Sequence, residues 1–322
     1  MEILVLTKIT DYFEKMMKKY SETYDLAWYT TKDIERVLPK IDAVIGAALT
    51  PEQIEKAENL KVIFIPWAGA EKLPWEIIKK RKILVSNSHG NGKIVAERAL
   101  SLALALLGRV VEFHKDLEKG IWHGFVKGFK VEDLWISLQK KPVAILGTGV
   151  IGKHLAKLLK GFECTIKGFK RHVEKVEGFD KITDSIFEAI KDVDVVFLTL
   201  PLTNETYHII NEKILNKMKG KYLINIGRGE LIDERALYNA LLKGKIAGFA
   251  SDVWYEYPDK NREVALPFHY PFHLFKNVVI SPHVGGFTIE GQNGRIDELF
   301  ENIIQYLTTG KPKNIVDPEK MY

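Results

Sequence analysis

Cysteine is nearly absent from this sequence, and long apolar runs and a strong excess of either charge are absent too. The single cysteine among 322 residues, Cys164, excludes internal disulfides and clustered thiolate metal sites. The best candidate for a membrane span, Leu100–Leu107, is far shorter than the roughly 18 apolar residues required. The net charge of +5 is mild and the lysines are spread along the chain, which argues against a nucleic-acid footprint. We therefore expect no metal, no membrane and no nucleic-acid partner.

The remaining composition is that of a globular protein. Hydrophobic residues make up 46% of the chain and charged residues 28%, which argues against disorder. The length suits two domains of roughly 150 residues each. The N-terminus, MEILVLTKIT, reads directly as a strand and lacks the order of basic, apolar and small residues of a signal peptide. We expect a cytoplasmic protein.

Short apolar runs alternate with amphipathic stretches, which is typical of β-α-β units around parallel sheets. The strands predicted in the first part are Ile3–Leu6, Ala43–Ile45, Val62–Ile65 and Leu84–Val85. Thr50 to Gln53 predicts a helix start with a capping box and proline in the first turn. A second alternation, from Pro142, contains six predicted strands: VAILG, CTIKGF, VVFLTL, YLINI, GFASDV and VVISP. Six strands are the number in a dinucleotide-binding sheet.

This order predicts an α/β fold with two Rossmann-like domains. A flavodoxin-like substrate domain would comprise residues 1–94 and 289–322, and a doubly wound dinucleotide-binding domain, residues 95–288, would be inserted in it. A long helix is predicted from Ile94 to Val111. It is apolar nearly all round, so we expect it to be buried between domains or in a subunit interface. The aromatic segment 112–138 is too apolar for a free loop and is predicted to cover a partner subunit.

The strongest local motif is the glycine-rich run Gly147-Thr148-Gly149-Val150-Ile151-Gly152. It follows a predicted strand and opens a predicted helix, the context in which GxGxxG indicates dinucleotide binding. Gly147 allows a tight turn, Gly149 lets a pyrophosphate approach the backbone, and Gly152 lets the helix pack on the strand. The helix N-terminus then offers N–H groups to the phosphates. The alternative is a glycine turn without a ligand.

The second strand of this unit bears on the choice of cofactor. NAD-binding folds place an acidic residue near its end to bind the adenosine ribose. Here Lys170 and Arg171 stand at that place, and no carboxylate follows until Glu174. Two cations would hold a 2′-phosphate. We therefore predict a preference for NADP(H), with NAD(H) as the alternative if these cations are merely solvated.

Three further segments follow predicted strands: 225–229, 252–254 and 281–286. Ligands of open α/β sheets bind at the carboxyl ends of the strands, so these segments are expected to converge on one crevice. Arg228 lies between two glycines, and its guanidinium is suited to a bidentate carboxylate. His283 lies between Pro282 and Gly285 and can exchange a proton near neutral pH. Each residue alone could be structural, but together they indicate a catalytic centre.

The sequence resembles the D-2-hydroxyacid dehydrogenase family over nearly its whole length. The matching segments are Ala68-Gly69-Ala70-Glu71, Val95-Ala96-Glu97, the GTGVIG turn, the proline loop Leu200 to Thr206, Asn225 to Gly229, Asp252-Val253 and Pro282-His283. The resemblance implies an oxidoreductase of small 2-oxo or 2-hydroxy acids, and a homodimer. It implies that Arg228 binds the substrate carboxylate and that His283 exchanges the proton.

The resemblance also assigns binding residues. Backbone groups of Ala68, Gly69 and Ala70 would hold the substrate carboxylate, and Asn91 matches a formate-contacting asparagine of formate dehydrogenases, although Asn91-Gly92 is also a good turn. Asp252 would contact the nicotinamide carboxamide, and Pro201 and Ile226 would line the cofactor. The full predicted cofactor set is Gly147, Thr148, Gly149, Val150, Ile151, Gly152, Lys170, Arg171, Leu200, Pro201, Thr206, Ile226, Gly227, Asp252 and Gly285.

One departure from the family pattern affects the proposed chemistry. The family places a glutamate, which pairs with the histidine, directly before a proline, and this sequence has Tyr257 there. The carboxylate comes one residue earlier, at Glu256. Either Glu256 reaches His283 and is a third catalytic residue, or the pair is absent and Tyr257 shapes the pocket.

The leading hypothesis is an NADP(H)-using reductase of a glyoxylate- or hydroxypyruvate-like acid. A formate- or phosphite-type dehydrogenase is an alternative, suggested by Asn91 and the displaced glutamate. A protein that senses NAD(P) without catalysis is an alternative from another class, and the retention of Arg228 and His283 argues against it.

Overall fold

The computed structural model describes residues 1–320, which divide into two compact units. The first unit comprises Met1–Asn91 together with the chain from Thr288 onward, and the second comprises Gly92–Phe287. Both ends of the chain thus contribute to one unit, and the other unit is an insertion. The boundaries expected from the sequence were 94/95 and 288/289.

The first unit opens with five strands and four helices in alternation: β1 (Glu2–Val5), α1 (Asp11–Ser21), β2 (Ala27–Thr30), α2 (Ile34–Val37), β3 (Ala43–Ile45), α3 (Pro51–Lys56), β4 (Val62–Phe64), α4 (Trp75–Arg81) and β5 (Leu84–Ser86). Helix α3 begins as predicted. Thr50 Oγ1 accepts the Gln53 N–H at 3.3 Å, and the Gln53 side chain accepts the Thr50 N–H at 3.1 Å.

The second unit contains seven strands and six helices: α5 (Gly92–Leu107), α6 (Val110–Leu117), β6 (Pro142–Leu146), α7 (Val150–Lys160), β7 (Thr165–Phe169), β8 (Lys181–Thr183), α8 (Ile186–Ile190), β9 (Val195–Leu198), α9 (Glu212–Asn216), β10 (Tyr222–Asn225), α10 (Glu234–Leu242), β11 (Gly248–Ser251) and β12 (Val278–Ile280). The last helix, α11 (Ile289–Thr309), belongs to the first unit.

Each unit has one parallel sheet. The first sheet has the order β2-β1-β3-β4-β5, and the second has the order β12-β11-β10-β9-β6-β7-β8. Consecutive residues of a strand point to opposite faces, and both faces are covered: Val143 and Ile145 of β6 enter one apolar cluster, Ala144 and Leu146 the other. The α/β fold class is therefore confirmed. All ten predicted strands are present, and the edge strands β2 and β8 were missed.

The predicted helix from Ile94 to Val111 is two helices, so that prediction was wrong at its C-terminal end. Arg109 adopts a left-handed conformation, with φ +53°, between α5 and α6. Its guanidinium binds both oxygens of Glu112, at 2.8 and 2.9 Å, and stacks on Phe113, which holds the break in place. Helix α5 is buried within its own unit, where Ala96, Ala99 and Ala103 pack among side chains of the sheet.

The segment after α6 exposes apolar side chains. We call residues 121–136 the aromatic arm; Trp122, Phe125, Phe129 and Trp135 are each more than half exposed. His123 joins the two ends of the aromatic arm to α6. Its Nδ1 lies 2.8 Å from the Asp133 carboxylate, within the arm, and its Nε2 lies 3.0 Å from the carboxylate of Asp116 in α6. No helix within residues 1–320 has the length and apolar content needed to span a bilayer.

Candidate active site

The glycine-rich turn joins β6 to α7. Gly147 has φ +112°, and a Cβ there would lie 2.9 Å from the Leu200 nitrogen; a Cβ on Gly152 would lie 2.1 Å from the Gly147 carbonyl oxygen. Thr199 Oγ1 donates a hydrogen bond to that same carbonyl at 2.8 Å. Gly149 is the N-cap of α7, and no described side chain caps it. The turn thus presents backbone N–H groups at a helix N-terminus, which fits a dinucleotide pyrophosphate.

The end of β7 lies beside the glycine-rich turn. The Gly147 N–H donates to the Phe169 carbonyl at 3.1 Å, so the two residues that follow, Lys170 and Arg171, lie next to the turn. Lys170 pairs with Glu174, and Arg171 pairs with Glu205. The Lys170 ammonium lowers the pKa of the Glu174 carboxyl through their hydrogen bond. These cations are suited to a phosphate, and they already have carboxylate partners.

The proline loop lies between the glycine turn and the arginine segment. Leu200 approaches both. Its nitrogen would lie 2.9 Å from a Cβ on Gly147, and its carbonyl oxygen would lie 2.7 Å from a Cβ on Gly227. Thr206 is buried and donates from Oγ1 to the Pro201 carbonyl at 2.7 Å, which closes the loop on itself. The residues predicted to line the cofactor are thus brought together along the carboxyl ends of β6, β9 and β10.

Arg228 lies in a loop shaped by Asn225, the last residue of β10. The Asn225 Nδ2 donates to the Arg228 carbonyl at 2.8 Å, and its Oδ1 accepts the Gly227 N–H at 3.1 Å. The Arg228 Nη1 donates to the Gly227 carbonyl at 2.9 Å. A buried carboxamide therefore sets the conformation that carries the guanidinium.

His283 is carried by a turn that Asp252 holds. Asp252 follows β11, is 2% exposed, and accepts the N–H groups of Val284 at 3.1 Å and Gly285 at 2.7 Å. His283 itself has φ +57°. An uncommon left-handed conformation at a non-glycine residue, supported by a buried carboxylate, is typical of functional sites.

Tyr257 connects the histidine with the arginine. Its ring lies 5.5 Å from the His283 imidazole, centroid to centroid, and its hydroxyl accepts the Trp254 N–H at 3.1 Å. Partial burial raises the Tyr257 pKa, and the Arg228 guanidinium is among the charges that act on it in the opposite direction. The Tyr257 ring is therefore a neighbour of His283, and the charge of Arg228 acts on the same tyrosine.

The structure does not support the assignment of Glu256 as the partner of His283. The Glu256 carboxylate binds Arg262 at 2.8 Å and His269 at 3.2 Å, and these contacts lower its pKa. The aromatic ring of the next residue, Tyr257, lies beside His283. The backbone is thus not shifted to bring the carboxylate inward, and Glu256 is not retained as a catalytic residue.

The predicted substrate residues lie in the first unit, after β4 and β5. The Ala68 carbonyl accepts from Asn87 Nδ2 at 2.8 Å, and the Ala70 carbonyl accepts from Trp75 Nε1 at 2.9 Å. Gly69 lies between these anchored residues. Asn91, at 9% exposure, is the last residue of the segment that follows β5.

Sequence reasoning missed two residues that support the second unit's site. Arg98 of α5 donates from Nη2 to Ser281 Oγ at 2.8 Å, and its Nε is 3.9 Å from the Asp252 carboxylate. Ser281 Oγ in turn donates to Asp252. Arg98 directly follows the matching segment Val95-Ala96-Glu97, and the sequence gives no signal that separates it from Lys93 and Glu97, the other charged residues of α5.

The sheet order, the glycine turn and the side chains around it define a dinucleotide-dependent oxidoreductase. Residues 100–285 match the family model of the D-isomer specific 2-hydroxyacid dehydrogenase NAD-binding domain. The chain is 33% identical to a glyoxylate reductase of Thermococcus litoralis over 99% of this chain and 97% of that one.

Two solved structures are similar over nearly the whole chain. The PH0520 protein of Pyrococcus horikoshii has 31% identity and a TM-score of 0.81, and the match covers 99% of this chain and 95% of that one. An acyclic imino acid reductase, Bsp5, in complex with NADPH and D-Arg, has 27% identity and a TM-score of 0.80; the match covers 98% of this chain and 100% of that one. The chain belongs to the D-isomer specific 2-hydroxyacid dehydrogenase family. It is an NAD(P)-dependent 2-hydroxyacid oxidoreductase.

Proposed function

We propose that this protein is an NADP(H)-preferring reductase of a small 2-oxo acid of the glyoxylate or hydroxypyruvate type. The observation that carries the proposal is that Arg228 follows β10 and His283 follows β12, so both lie at the carboxyl end of one parallel sheet, with Tyr257 beside His283. The similarity to the T. litoralis glyoxylate reductase supports the substrate class.

The nicotinamide, when bound, supplies the hydride that reduces the carbonyl carbon. Arg228 binds the substrate carboxylate through its planar fork of N–H groups and stabilises the negative charge that develops on the carbonyl oxygen. His283 donates its proton to that oxygen during reduction and removes it from the alcohol in the reverse direction. Asp252 positions His283 by holding the turn that follows it.

The first unit contributes binding groups in the same proposal. Ala68, Gly69 and Ala70 are expected to present backbone groups to the carboxylate of a small acid, and the anchoring of Ala68 by Asn87 and of Ala70 by Trp75 keeps this loop in one conformation. Asn91 is expected to bind a small acid through its carboxamide. A loop fixed at both ends loses little entropy on binding, which favours affinity.

A second candidate is a formate- or phosphite-type dehydrogenase. The observation in its favour is that the Tyr257 ring stands beside His283, while the Glu256 carboxylate binds Arg262 and His269. The test is a substrate panel of glyoxylate, hydroxypyruvate and phosphohydroxypyruvate for reduction, and formate and phosphite for oxidation, each with NADP(H) and NAD(H). The highest kcat/KM is expected for glyoxylate or hydroxypyruvate. Preferential oxidation of formate or phosphite would replace the leading proposal with the second candidate.

The cofactor preference rests on Lys170 and Arg171. With NADPH as the preferred cofactor, the double variant Lys170→Ala/Arg171→Ala should raise the KM for NADPH by roughly tenfold to a hundredfold, because each cation forms a charge-assisted bond to the 2′-phosphate. The KM for NADH should change little, since NADH lacks that phosphate. Steady-state kinetics with both cofactors measure this change.

The matched control for this experiment is Lys175→Ala/Lys181→Ala, which removes two exposed lysines from the same unit. It alters the net charge equally and should leave both KM values near those of the parent. A parent protein that prefers NADH would contradict the assignment of Lys170 and Arg171.

We also propose that the protein is a homodimer in which the aromatic arm contacts the second copy. Phe125 is 94% exposed and Phe129 71% exposed, and exposed apolar clusters of this kind mark interaction surfaces. A monomer measured by light scattering at micromolar concentration would contradict the proposal.

The contacts of His123 predict that the arm becomes less ordered as pH rises. Hydrogen bonds to Asp133 and Asp116 raise the His123 pKa. A raised pKa in the folded state means that the stabilisation is complete below the ordinary histidine pKa of about 6.5 and is lost as pH rises through the folded value. Hydrogen exchange of residues 121–136 should therefore accelerate, beyond its intrinsic pH dependence, from mildly acidic to alkaline pH.

His123→Gln is the control for this effect, because glutamine keeps hydrogen-bonding capacity and does not titrate. Its exchange should follow the intrinsic pH dependence alone. Identical pH profiles for the parent and the variant would contradict the role of His123 at the base of the arm.

A further inference from the structure

One face of α11 holds the loop that follows β5. Arg295, Glu298 and Asn302 are spaced i, i+3 and i+7, which places them on the same side of the helix. Each binds a different residue of the loop 87–91: Asn302 Nδ2 donates to the Asn87 carbonyl at 3.1 Å, Glu298 accepts the His89 N–H, and Arg295 contacts Asn91. The helix thus fixes the loop along its whole length.

A close approach of two backbones brings Asn91 to the helix. A Cβ on Gly90 would lie 2.0 Å from the Gly294 carbonyl oxygen, and one on Gly294 would lie 2.6 Å from the Gly90 carbonyl oxygen. Larger residues at either position would push the loop away from α11. Asn91 and Arg295 each directly follow one of these glycines, so the glycine contact brings their side chains together.

Arg295 binds the oxygen of the Asn91 carboxamide twice. The orientation of an amide is assigned from its hydrogen-bond partners, and here its oxygen accepts from Arg295 Nη2 at 2.7 Å and from Nε at 3.0 Å. Arg295 forms no ion pair with a carboxylate of residues 1–320. Burial lowers its pKa, which reflects the cost of keeping this cation from water. A cation kept partly buried without a carboxylate calls for a functional explanation.

We propose that Arg295 is a positioning residue that makes Asn91 a hydrogen-bond donor for an anionic substrate. With the oxygen held by the guanidinium, the other end of the amide is the Nδ2 group, and this group only donates. The positive charge behind the amide is not offset by a paired carboxylate, so an anion is favoured over a neutral ligand at Asn91. This inference rests on the proposed reduction of a small 2-oxo acid.

The test compares Arg295→Met, Asn91→Ala and the double variant in glyoxylate reduction. Methionine keeps an unbranched side chain but has no N–H group and no charge. The KM for glyoxylate should rise by roughly tenfold to a hundredfold in Arg295→Met, the effect of weakening a hydrogen bond to a charged ligand, while kcat and the KM for NADPH change little. The double variant should be no worse than Asn91→Ala, because Arg295 acts through Asn91.

Two controls separate positioning from folding. Arg36→Met makes the same chemical change at an exposed arginine of the first unit and should not alter the KM for glyoxylate. The melting temperature of Arg295→Met is measured in parallel, because a fall reports the loss of two hydrogen bonds to the buried Asn91 oxygen and not a change in substrate binding. If Arg295→Met does not fold, Arg295→Lys takes its place; a single ammonium cannot reproduce the paired contact, so a raised KM is again expected.

The proposal is overturned if Arg295→Met, or the lysine variant in its place, has the KM of Arg36→Met. It is also overturned if loss of Arg295 raises the KM equally in the presence and absence of Asn91. If the parent protein reduces no 2-oxo acid, the proposed function fails, and the pair is then tested by calorimetry with oxamate in the presence of NADP⁺. Equal affinities of the parent and Arg295→Met for oxamate, or no binding to either, would overturn the inference as well.

Discussion

Replacing His283 with asparagine is expected to lower kcat for glyoxylate reduction by about 10²- to 10⁴-fold, the range for losing a general acid. Asparagine tolerates the left-handed backbone found at residue 283, so strain in the turn should not contribute to the loss. NADPH binding, followed by cofactor fluorescence, should be retained because the glycine turn is untouched. Stopped-flow measurement of NADPH oxidation gives the rate.

His269→Asn is the matched control, since His269 is an exposed histidine of the same unit that binds Glu234 and Glu256. Its kcat should equal that of the parent. Glu256→Gln should likewise leave the pH profile of kcat unchanged, because the Glu256 carboxylate binds Arg262 and His269. A His283→Asn protein with more than about a tenth of the parent kcat would remove the imidazole from the mechanism, since a general acid contributes more.

Replacing Arg228 with glutamine is expected to lower kcat/KM for glyoxylate by about 10²- to 10³-fold or more, the cost of removing a donor that stabilises the developing oxyanion. The loss should appear in both kcat and KM, because the guanidinium binds the carboxylate in the ground state and the carbonyl oxygen in the transition state. Arg228→Lys should recover only part of the activity, since an ammonium keeps the charge but not the planar fork.

Arg262→Gln provides the control for Arg228, because Arg262 is exposed and pairs with Glu256. It removes the same group from the same unit and should leave kcat/KM unchanged. Equal effects of the two substitutions would mean that Arg228 contributes only to the general charge of the protein, and the proposed binding of the carboxylate would then be wrong.

The parts of the fold that could be predicted from the sequence are those with strong local signals. Interior strands such as β6 and β9 are continuous apolar runs because both of their faces are buried. Strands β2 and β8 lie at sheet edges, have four and three residues, and are partly exposed, so neither is a continuous apolar run. The end of α5 at Leu107 was missed because the left-handed Arg109 is held by Glu112 and Phe113, a contact that hydrophobic periodicity does not reveal.

The candidate site likewise contains residues that the sequence locates and residues that only the folded chain reveals. Gly147 to Gly152, Arg228, Asp252 and His283 were identified because motif spacing and strand ends locate them. The contact of Glu256 was not predictable, since a shift of one residue decides which side chain faces inward, and Arg262 and His269 take the carboxylate. Arg295 belongs to no sequence motif. It reaches Asn91 only because Gly90 contacts Gly294, and these glycines are about 200 residues apart in the sequence.

The most direct test of the central claim is a crystal structure of the protein with NADP⁺ and oxamate, an analogue of a 2-oxo acid. The account predicts that the oxamate carboxylate is bound by the Arg228 guanidinium at about 2.7–2.9 Å and that the carbonyl oxygen lies within about 3.2 Å of the His283 imidazole. Oxamate bound away from Arg228, or a nicotinamide ring that leaves His283 beyond reach of the carbonyl oxygen, would contradict it.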